Sequence, residues 1–268
     1  MTSDEFFEGV EAYIAQVRKE LHARWDAWQP DPEHLETHET IGGLMARQVT
    51  LVTQMAMNPG IWNGHIAPLL LRSMVDTFIT FAWIWGDPND RARKYIHHGL
   101  GQEKLLLEHY ISTIGEDEGD PEDDPFVQAR RSWIDSQRWT FLTDVNLGSW
   151  SGKSTRAMAQ EADCMGIYNH AYQPFSTSAH SMWNHVAKYN LQYCENPLHR
   201  NHRVPVDPEL DIDPDYLYRA SKYVARVFET FDDKSGVDVS VDSGFELLYS
   251  LFKRFGAESE PPEDGTVD

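Results

Sequence analysis

The feature that most constrains this chain is a long apolar segment, residues 66–85, with two charged side chains in its interior. The segment is long enough to cross a bilayer. However, Arg72 and Asp76 would each cost about 2.5–3.5 kcal/mol near the bilayer centre. We therefore expect the core helix of a soluble protein and no membrane partner.

Arg72 and Asp76 are four residues apart, so they share a helix face and can form an ion pair. A buried ion pair is often no more stabilising than a well-packed apolar pair. Two explanations stay open. The pair is either a structural salt bridge that fixes the helix register, or one wall of a polar pocket that also includes Ser73.

Apolar residues recur at three- and four-residue spacing along most of the chain, which predicts an all-α, bundle-like fold of about eight to ten helices. We predict one helical domain over residues 1–256. Residues 190–213 contain three prolines and no clear period, so we expect a long irregular excursion there, and no convincing series of strands anywhere. The acidic residues 257–268 are expected to form a disordered tail. The predicted helices span residues 4–28, 36–57, 66–85, 89–114, 125–142, 154–163, 166–173, 176–189, 214–232 and 242–255.

The formal net charge of -20, from 43 acidic and 23 basic residues, argues against a long nucleic-acid track and against anionic membranes. It does not exclude a local basic cleft. Only two cysteines occur and the N-terminal residues do not resemble a signal peptide, so we expect a reducing, cytoplasmic location. No cofactor-binding motif is complete, and no cofactor is predicted.

The helix predicted at 89–114 carries a polar group of Arg91, Arg93, Tyr95 and His98. Tyr95, His98, Gln102 and His109 fall near one stripe of this helix. Such a stripe can be a solvated helix face, or it can supply hydrogen bonds and acid–base groups. Four residues separate Arg93 from His98, and six separate Arg91 from His98. Both spacings resemble the R-x4-6-H pattern of helical HEPN-type ribonucleases, in which the arginine and histidine act on the RNA phosphodiester.

A second polar patch contains Tyr172, Ser176 and His180. Ser176 is a plausible N-cap, and His180 would then lie in the first turns of the same helix. A helix N-terminus disfavours the charged imidazolium, so His180 could act as a base there. The alternative is a hydrogen-bonded core histidine.

A third patch lies in the irregular excursion and is the main positive cluster of the chain. Its basic residues His199, Arg200 and Arg203 could receive a phosphate or carboxylate. Cys194, His199 and His202 have partial zinc spacing, with Cys164 as a distant fourth ligand. Because a structural zinc site normally shows two close pairs of ligands and only one is present, no metal site is predicted.

These patches occur in the order ApLLLRSMVDTFITFAWI, R-x-R-K-Y-x-x-H-G, Y-x-x-x-Y-x-x-x-S-x-x-x-H and C-x-N-P-L-H-R-x-H-R. In this order they resemble a bacterial and archaeal family of all-helical proteins, the domain-of-unknown-function family numbered five-six-seven-seven. The resemblance covers roughly residues 40–205. It implies no reaction, but its recurring polar positions match the following residues of this chain: Arg72, Ser73, Asp76, Tyr172, Ser176 and His180.

Three functional hypotheses follow. The first is a HEPN-like, metal-independent ribonuclease or phosphodiesterase in stress or phage defence, with RNA as partner and a site shared across a homodimer. Its catalytic residues would be Arg72, Asp76, Arg93, His98 and His180.

The second is a non-catalytic or regulatory domain that binds a small anionic ligand. It would hold the ligand in the same pocket of Arg72, Asp76 and His180. The candidate ligand-binding residues are Ser73, Tyr95, Tyr172, Ser176, His199, Arg200 and Arg203. The third is a structural or partner-binding protein.

Overall fold

The computed structural model describes residues 3–114, 120–137 and 150–255. Within these ranges the chain forms ten helices of seven or more residues, and the all-α prediction is confirmed. The helices are α1 (Ser3–Ala27), α2 (Leu35–Ala56), α3 (Ala67–Ile84), α4 (Pro88–Thr113), α5 (Pro125–Ser136), α6 (Thr155–Glu161), the single turn α7 (Met165–Ile167), α8 (Gln173–Ala179), α9 (Trp183–Tyr189), α10 (Asp215–Ser235) and α11 (Gly244–Phe255).

The apolar segment that dominates the sequence is α3, the central helix of the fold. Pro68 lies in its first turn, where no backbone N–H is needed. Helices α2, α6, α8 and α10 all pack against α3. The helix is long and apolar enough to cross a membrane by length and composition, but 61% of that window is buried within the protein. Packing on several sides identifies α3 as a core helix, as the interior charges predicted.

The main core joins α3 to α1, α2, α10 and α11. An internal ion pair strengthens this assembly. The Nε and Nη2 atoms of Arg24 in α1 donate to the two carboxylate oxygens of Asp232 in α10, at 2.8 and 2.7 Å. A smaller apolar cluster of Leu107, Val127 and Ile134 holds α5 against α4.

The segment 165–189 differs from its predicted form. We predicted a break at Pro174, but the chain stays helical from α7 through a π-helical segment, Tyr168–Tyr172, into α8. Pro174 lies in the first turn of α8, which tolerates proline. The break comes later, at Ser181, whose φ of 47° is left-handed. The single helix predicted over 176–189 is therefore two helices, α8 and α9.

The excursion at 190–213 is less irregular than predicted. Strands β1 (Leu191–Tyr193) and β2 (Arg203–Pro205) pair antiparallel, with Tyr193 opposite Arg203. This short β-ribbon is the only sheet among the described residues, so the prediction of no convincing series of strands is confirmed. Strands of three residues are too short to show an alternating pattern in the sequence. The predicted tail, and residues 138–142 of the predicted fifth helix, lie outside the described residues. The single-domain assignment stays a prediction.

Candidate functional site

The predicted pair on α3 is formed. Nη1 of Arg72 lies 2.7 Å from Oδ2 of Asp76. Only 12% of the Arg72 side chain is exposed, against 44% for Asp76. The pair therefore lies at the edge of the core with its carboxylate facing outward. The contact is an ion pair without aligned hydrogen-bond geometry, and the buried Nε–H of Arg72 has no hydrogen-bond partner among the described residues.

Tyr172 covers the other side of the Arg72 guanidinium. The guanidinium carbon is 3.0 Å from the centre of the Tyr172 ring, a cation–π contact. Tyr172 ends the π-helical segment, stacks on Tyr168 with ring centres 4.7 Å apart, and donates from its hydroxyl to Oγ1 of Thr155 at 3.2 Å. π-helical turns often occur at functional sites because they shift the side chains that follow.

Asp76 also interacts with His180. Partial burial raises the pKa of the Asp76 carboxyl above its ordinary value, and the charges of Arg72 and His180 offset part of that rise. We call the group Arg72, Asp76, Tyr172 and His180 the Arg72 site. It combines a cation, a carboxyl group that retains its proton more readily than usual, and an exposed imidazole.

Two details of the predicted second patch were wrong. Ser176 is not an N-cap, because it lies in the middle of α8 and donates its hydroxyl to the Tyr172 carbonyl at 2.7 Å. His180 follows the last residue of α8, so it lies at the C-terminal end of a helix and not at the N-terminal end. A helix C-terminus favours a positive charge. Ser73, half-buried on α3, contributes a backbone carbonyl that accepts from Thr77 Oγ1 at 2.8 Å.

The arginines of α4 do not join the Arg72 site. Arg93 donates from Nε to the buried Glu36 of α2 at 3.1 Å. Arg91 packs over the Trp83 ring at 4.0 Å and lies 3.6 Å from a carboxylate oxygen of Glu161. Both guanidinium groups are thus held by structural contacts. The structure does not assemble the predicted arginine–histidine pairs of α4 around the Arg72 site.

Tyr95 and His98 instead line a cavity of about 870 Å³, which we call the α4 cavity. None of the four residues of the Arg72 site is among the described residues that line it. Thr77, the neighbour of Asp76 in sequence, does line it and brings α3 into its wall. The described lining residues are Glu39, Thr40, Gly43, Leu44, Arg47, Thr77, Tyr95, Ile96, His98, Gly99, Leu100, Trp133, Ser136 and Gln137.

Sequence reasoning missed the polar groups that α2 contributes to the α4 cavity. Arg47 is exposed, and its charge lowers the pKa of the Tyr95 phenol, although burial outweighs this and raises that pKa overall. The Oγ1 atom of Thr40 and the Nδ1 atom of His98 are buried without hydrogen-bond partners among the described residues. Their sequence context hid these residues, because Thr40 ends the polar run 36–40 and Arg47 stands beside Gln48, so neither differs from its neighbours.

The basic residues of the third patch lie on the β-ribbon and its loop. Arg203 packs 5.1 Å from the centre of the Tyr193 ring, and Arg200 is exposed. His199 is close to Cys194, with its Nδ1 3.7 Å from the sulfur. Cys164 does not join them, because it lies at the start of α7 against the main core, where burial raises the pKa of its thiol to about 11.

The sequence was also compared with known protein families. The model of a family described as a family of unknown function, DUF5677, matches residues 38–197, more than half of the chain. The chain belongs to DUF5677. No curated protein and no solved structure matches it. The DUF5677 match includes the Arg72 site and the described lining of the α4 cavity, and it ends before His199. The family description names no activity, so any assignment of function to this DUF5677 member rests on its geometry.

Proposed function

We propose that the chain binds a small organic anion in the α4 cavity, and that this ligand carries an apolar or aromatic part. The proposal rests on two features of the cavity wall. The cavity wall holds an arginine, Arg47, without an ion pair and two buried polar atoms without partners, as far as the described residues extend. Buried polar atoms are nearly always paired in proteins, so a missing ligand or ordered water accounts for such atoms.

The size and apolar lining of the cavity support a small molecule. Its volume of about 870 Å³ lies within the usual range for ligand pockets. Leu44, Ile96 and Leu100 form an apolar wall, and the half-exposed Trp133 offers an aromatic face. A flat ring of the ligand could pack on these side chains. Aromatic groups bury a large apolar area, so this contact would contribute much of the binding energy.

The polar lining supports a negatively charged group on that molecule. The Arg47 guanidinium can bind a phosphate or carboxylate with two parallel hydrogen bonds. The Thr40 hydroxyl and the His98 imidazole add two further hydrogen-bonding groups. Glu39 and Gln137 add two further polar side chains to the cavity wall. A nucleotide-like molecule has all these parts.

Calorimetric titration with adenosine monophosphate, adenosine and inorganic phosphate tests this proposal. We expect adenosine monophosphate to bind most tightly, because it alone fills both the apolar and the cationic part of the cavity. Arg47→Ala should weaken that binding at least about tenfold, the effect of losing 1.4 kcal/mol. Arg18→Ala is the matched control, since Arg18 is an exposed arginine of α1 outside the cavity.

Two results would overturn the proposal. One is the absence of binding by all three probes at millimolar concentration. The other is an equal loss of affinity in Arg47→Ala and Arg18→Ala, which would trace the binding to overall charge. A His98→Asn variant tests the contribution of the His98 imidazole to binding without adding a charged side chain. Its control is His22→Asn, because His22 is an exposed residue of α1.

A second candidate function is metal-independent cleavage of a phosphodiester, RNA included, at the Arg72 site. The position of Asp76 favours it, because the carboxylate pairs with Arg72 at 2.7 Å and also interacts with His180, so it can orient a cation and a base around one phosphate. His180 would take the proton of the attacking hydroxyl, Asp76 would orient Arg72 and His180, and the leaving oxygen would take its proton from solvent. Arg72 would stabilise the negative charge that develops on phosphorus-bound oxygens.

Cleavage of an end-labelled single-stranded RNA, in the presence of a chelator, tests the second candidate. His180→Ala and Asp76→Asn should each abolish cleavage, while His22→Ala should leave it unchanged. RNA cleavage that persists in both site variants would reject the candidate. Size-exclusion chromatography of the same sample tests the homodimer that a HEPN-like site implies, and a monomer would count against that mechanism.

A further inference from the structure

The loop between β1 and β2 brings three metal-binding side chains together. One ligand atom each from Cys194, His199 and His202 can be chosen so that all lie within 4.8 Å of one another. We propose that these three residues form a zinc site. This proposal is independent of the α4 cavity and of the Arg72 site, because none of its residues belongs to either.

The distance between the first two ligands fits a shared zinc ion. In a tetrahedral site, with Zn–S of about 2.3 Å and Zn–N of about 2.1 Å, a sulfur and a nitrogen ligand lie about 3.6 Å apart. The Sγ atom of Cys194 and the Nδ1 atom of His199 are 3.7 Å apart. A thiolate and two imidazoles form a donor set that suits zinc and disfavours Mg²⁺ and Ca²⁺.

Backbone hydrogen bonds hold the three residues in place. The N–H of Cys194 donates to the His202 carbonyl at 3.0 Å, which continues the strand pairing by one step. The N–H of His202 donates to the His199 carbonyl at 3.1 Å, and Asn201 adopts a left-handed φ of 59° between them. These backbone hydrogen bonds therefore fold the loop around the three ligands, whose donor atoms lie within 4.8 Å of one another.

The surroundings leave room for the ion and for one further ligand. His199 and His202 are exposed and Cys194 is half-buried, so zinc can enter from solvent. On binding, the Cys194 thiol releases its proton to solvent and coordinates as the thiolate. Three protein ligands leave the fourth tetrahedral position to water or to an anion. His202 and Arg203 also border a groove of about 600 Å³ from which such a ligand could approach.

Metal titration of the full-length, untagged protein tests the site. After treatment with a chelator, titration with zinc chloride should show one zinc ion bound per chain. Titration with Co²⁺ should produce the charge-transfer absorption of a thiolate–cobalt bond. Both signals should be lost in Cys194→Ser and retained in Cys164→Ser, which changes the other cysteine. His199→Asn should lose the zinc signal, with His22→Asn as its control.

Two outcomes would overturn the zinc site. If the parent protein binds no zinc, the 3.7 Å contact is a thiol–imidazole hydrogen bond. If zinc binds equally to Cys194→Ser and Cys164→Ser, it binds elsewhere. Far-ultraviolet circular dichroism of each variant confirms that the fold is intact, which we expect because the loop lies at the protein surface.

Discussion

At the scale of single residues, the Arg72–Asp76 salt bridge joins a largely buried arginine to a partly exposed aspartate. Arg72 is largely buried, between its carboxylate partner and the Tyr172 ring. Asp76 is the more exposed member and also interacts with His180. The pair is therefore neither sealed in the core, as a purely structural brace would be, nor free in solvent. The Nε–H of Arg72 is buried and has no hydrogen-bond partner among the described residues, so the guanidinium is neutralised by Asp76 without being fully hydrogen-bonded.

The raised pKa of Asp76 predicts a specific pH dependence of stability. The folded protein holds the Asp76 proton more tightly than the unfolded chain, whose carboxyl titrates near 3.8. The contribution of Asp76 to stability is therefore present below pH 3.8 and is lost as the pH rises through the folded-state pKa. Asp76→Asn, which keeps a neutral side chain, should gain in melting temperature relative to the parent as the pH rises from about 4 to about 7.

Thermal melts monitored by circular dichroism at several pH values measure this difference. Asp90→Asn is the control, because Asp90 also pairs with a cation four residues later, Lys94, but both side chains are about half exposed. A difference between Asp76→Asn and the parent that stays constant over this pH range would show that Asp76 does not titrate abnormally.

At the scale of elements, helix bounds were predicted best for helices that have a single apolar stripe packed against the core. Helices α1 to α4, α10 and α11 begin and end within about three residues of their predicted bounds, because their periodic burial and their prolines or glycines are local signals. The chain from α7 to α9 was predicted less well. Its π-helical segment and α8 pack against α3, a contact between elements distant in sequence that no local pattern encodes.

The same distinction applies to the candidate sites. The Arg72–Asp76 pair was predictable because a helix fixes the spacing of its own side chains. The position of Arg93 was not, since its partner Glu36 lies on another helix. The grouping of Cys194, His199 and His202 needed the β-ribbon, whose strands are only three residues long.

The ion pair between Glu36 of α2 and Arg93 of α4 predicts how much this helix contact contributes to stability. Glu36 is 4% exposed and receives its hydrogen bond from Arg93, which is 47% exposed. Arg93→Ala should lower the free energy of unfolding by about 2 kcal/mol, because it leaves a buried carboxylate without its cation. The value is below that for a fully buried pair, since water reaches the guanidinium.

Arg131 provides a matched control for this variant. Its side chain is also 47% exposed, but its partner Glu122 is 55% exposed. Urea denaturation of Arg131→Ala should therefore show a loss of less than about 1 kcal/mol. Equal losses for the two variants would mean that Arg93 acts through its general charge and not through the buried Glu36. In that case Arg93 would again be available for a catalytic role.

At the scale of the whole molecule, the net charge of -20 limits what the candidate sites can bind. A long polyanion would meet repulsion over most of the surface, whereas a small anion meets only the local field of Arg47 or Arg72. This argument favours a compact ligand over an extended nucleic acid. Any RNA bound at the Arg72 site would have to contact the protein over a short length.

The same charge predicts how salt affects stability. Two effects oppose each other: screening weakens favourable surface ion pairs, and it also weakens the mutual repulsion of the excess carboxylates. Exposed ion pairs contribute little each, whereas the repulsion sums over the whole surface. We therefore expect repulsion to dominate. The melting temperature should rise by about 2–4 °C between 10 and 200 mM salt, the shift that about 1 kcal/mol produces in a domain of this size.

Differential scanning calorimetry in sodium chloride and in potassium chloride measures this shift. Equal increases in the two salts identify screening, because specific cation binding would differ between them. A melting temperature that falls with salt would mean that favourable exposed ion pairs, such as Lys94–Asp90, together contribute more than the repulsion costs. The Lys94→Met variant would then be less sensitive to salt than the parent protein, since it removes the cation of one exposed pair.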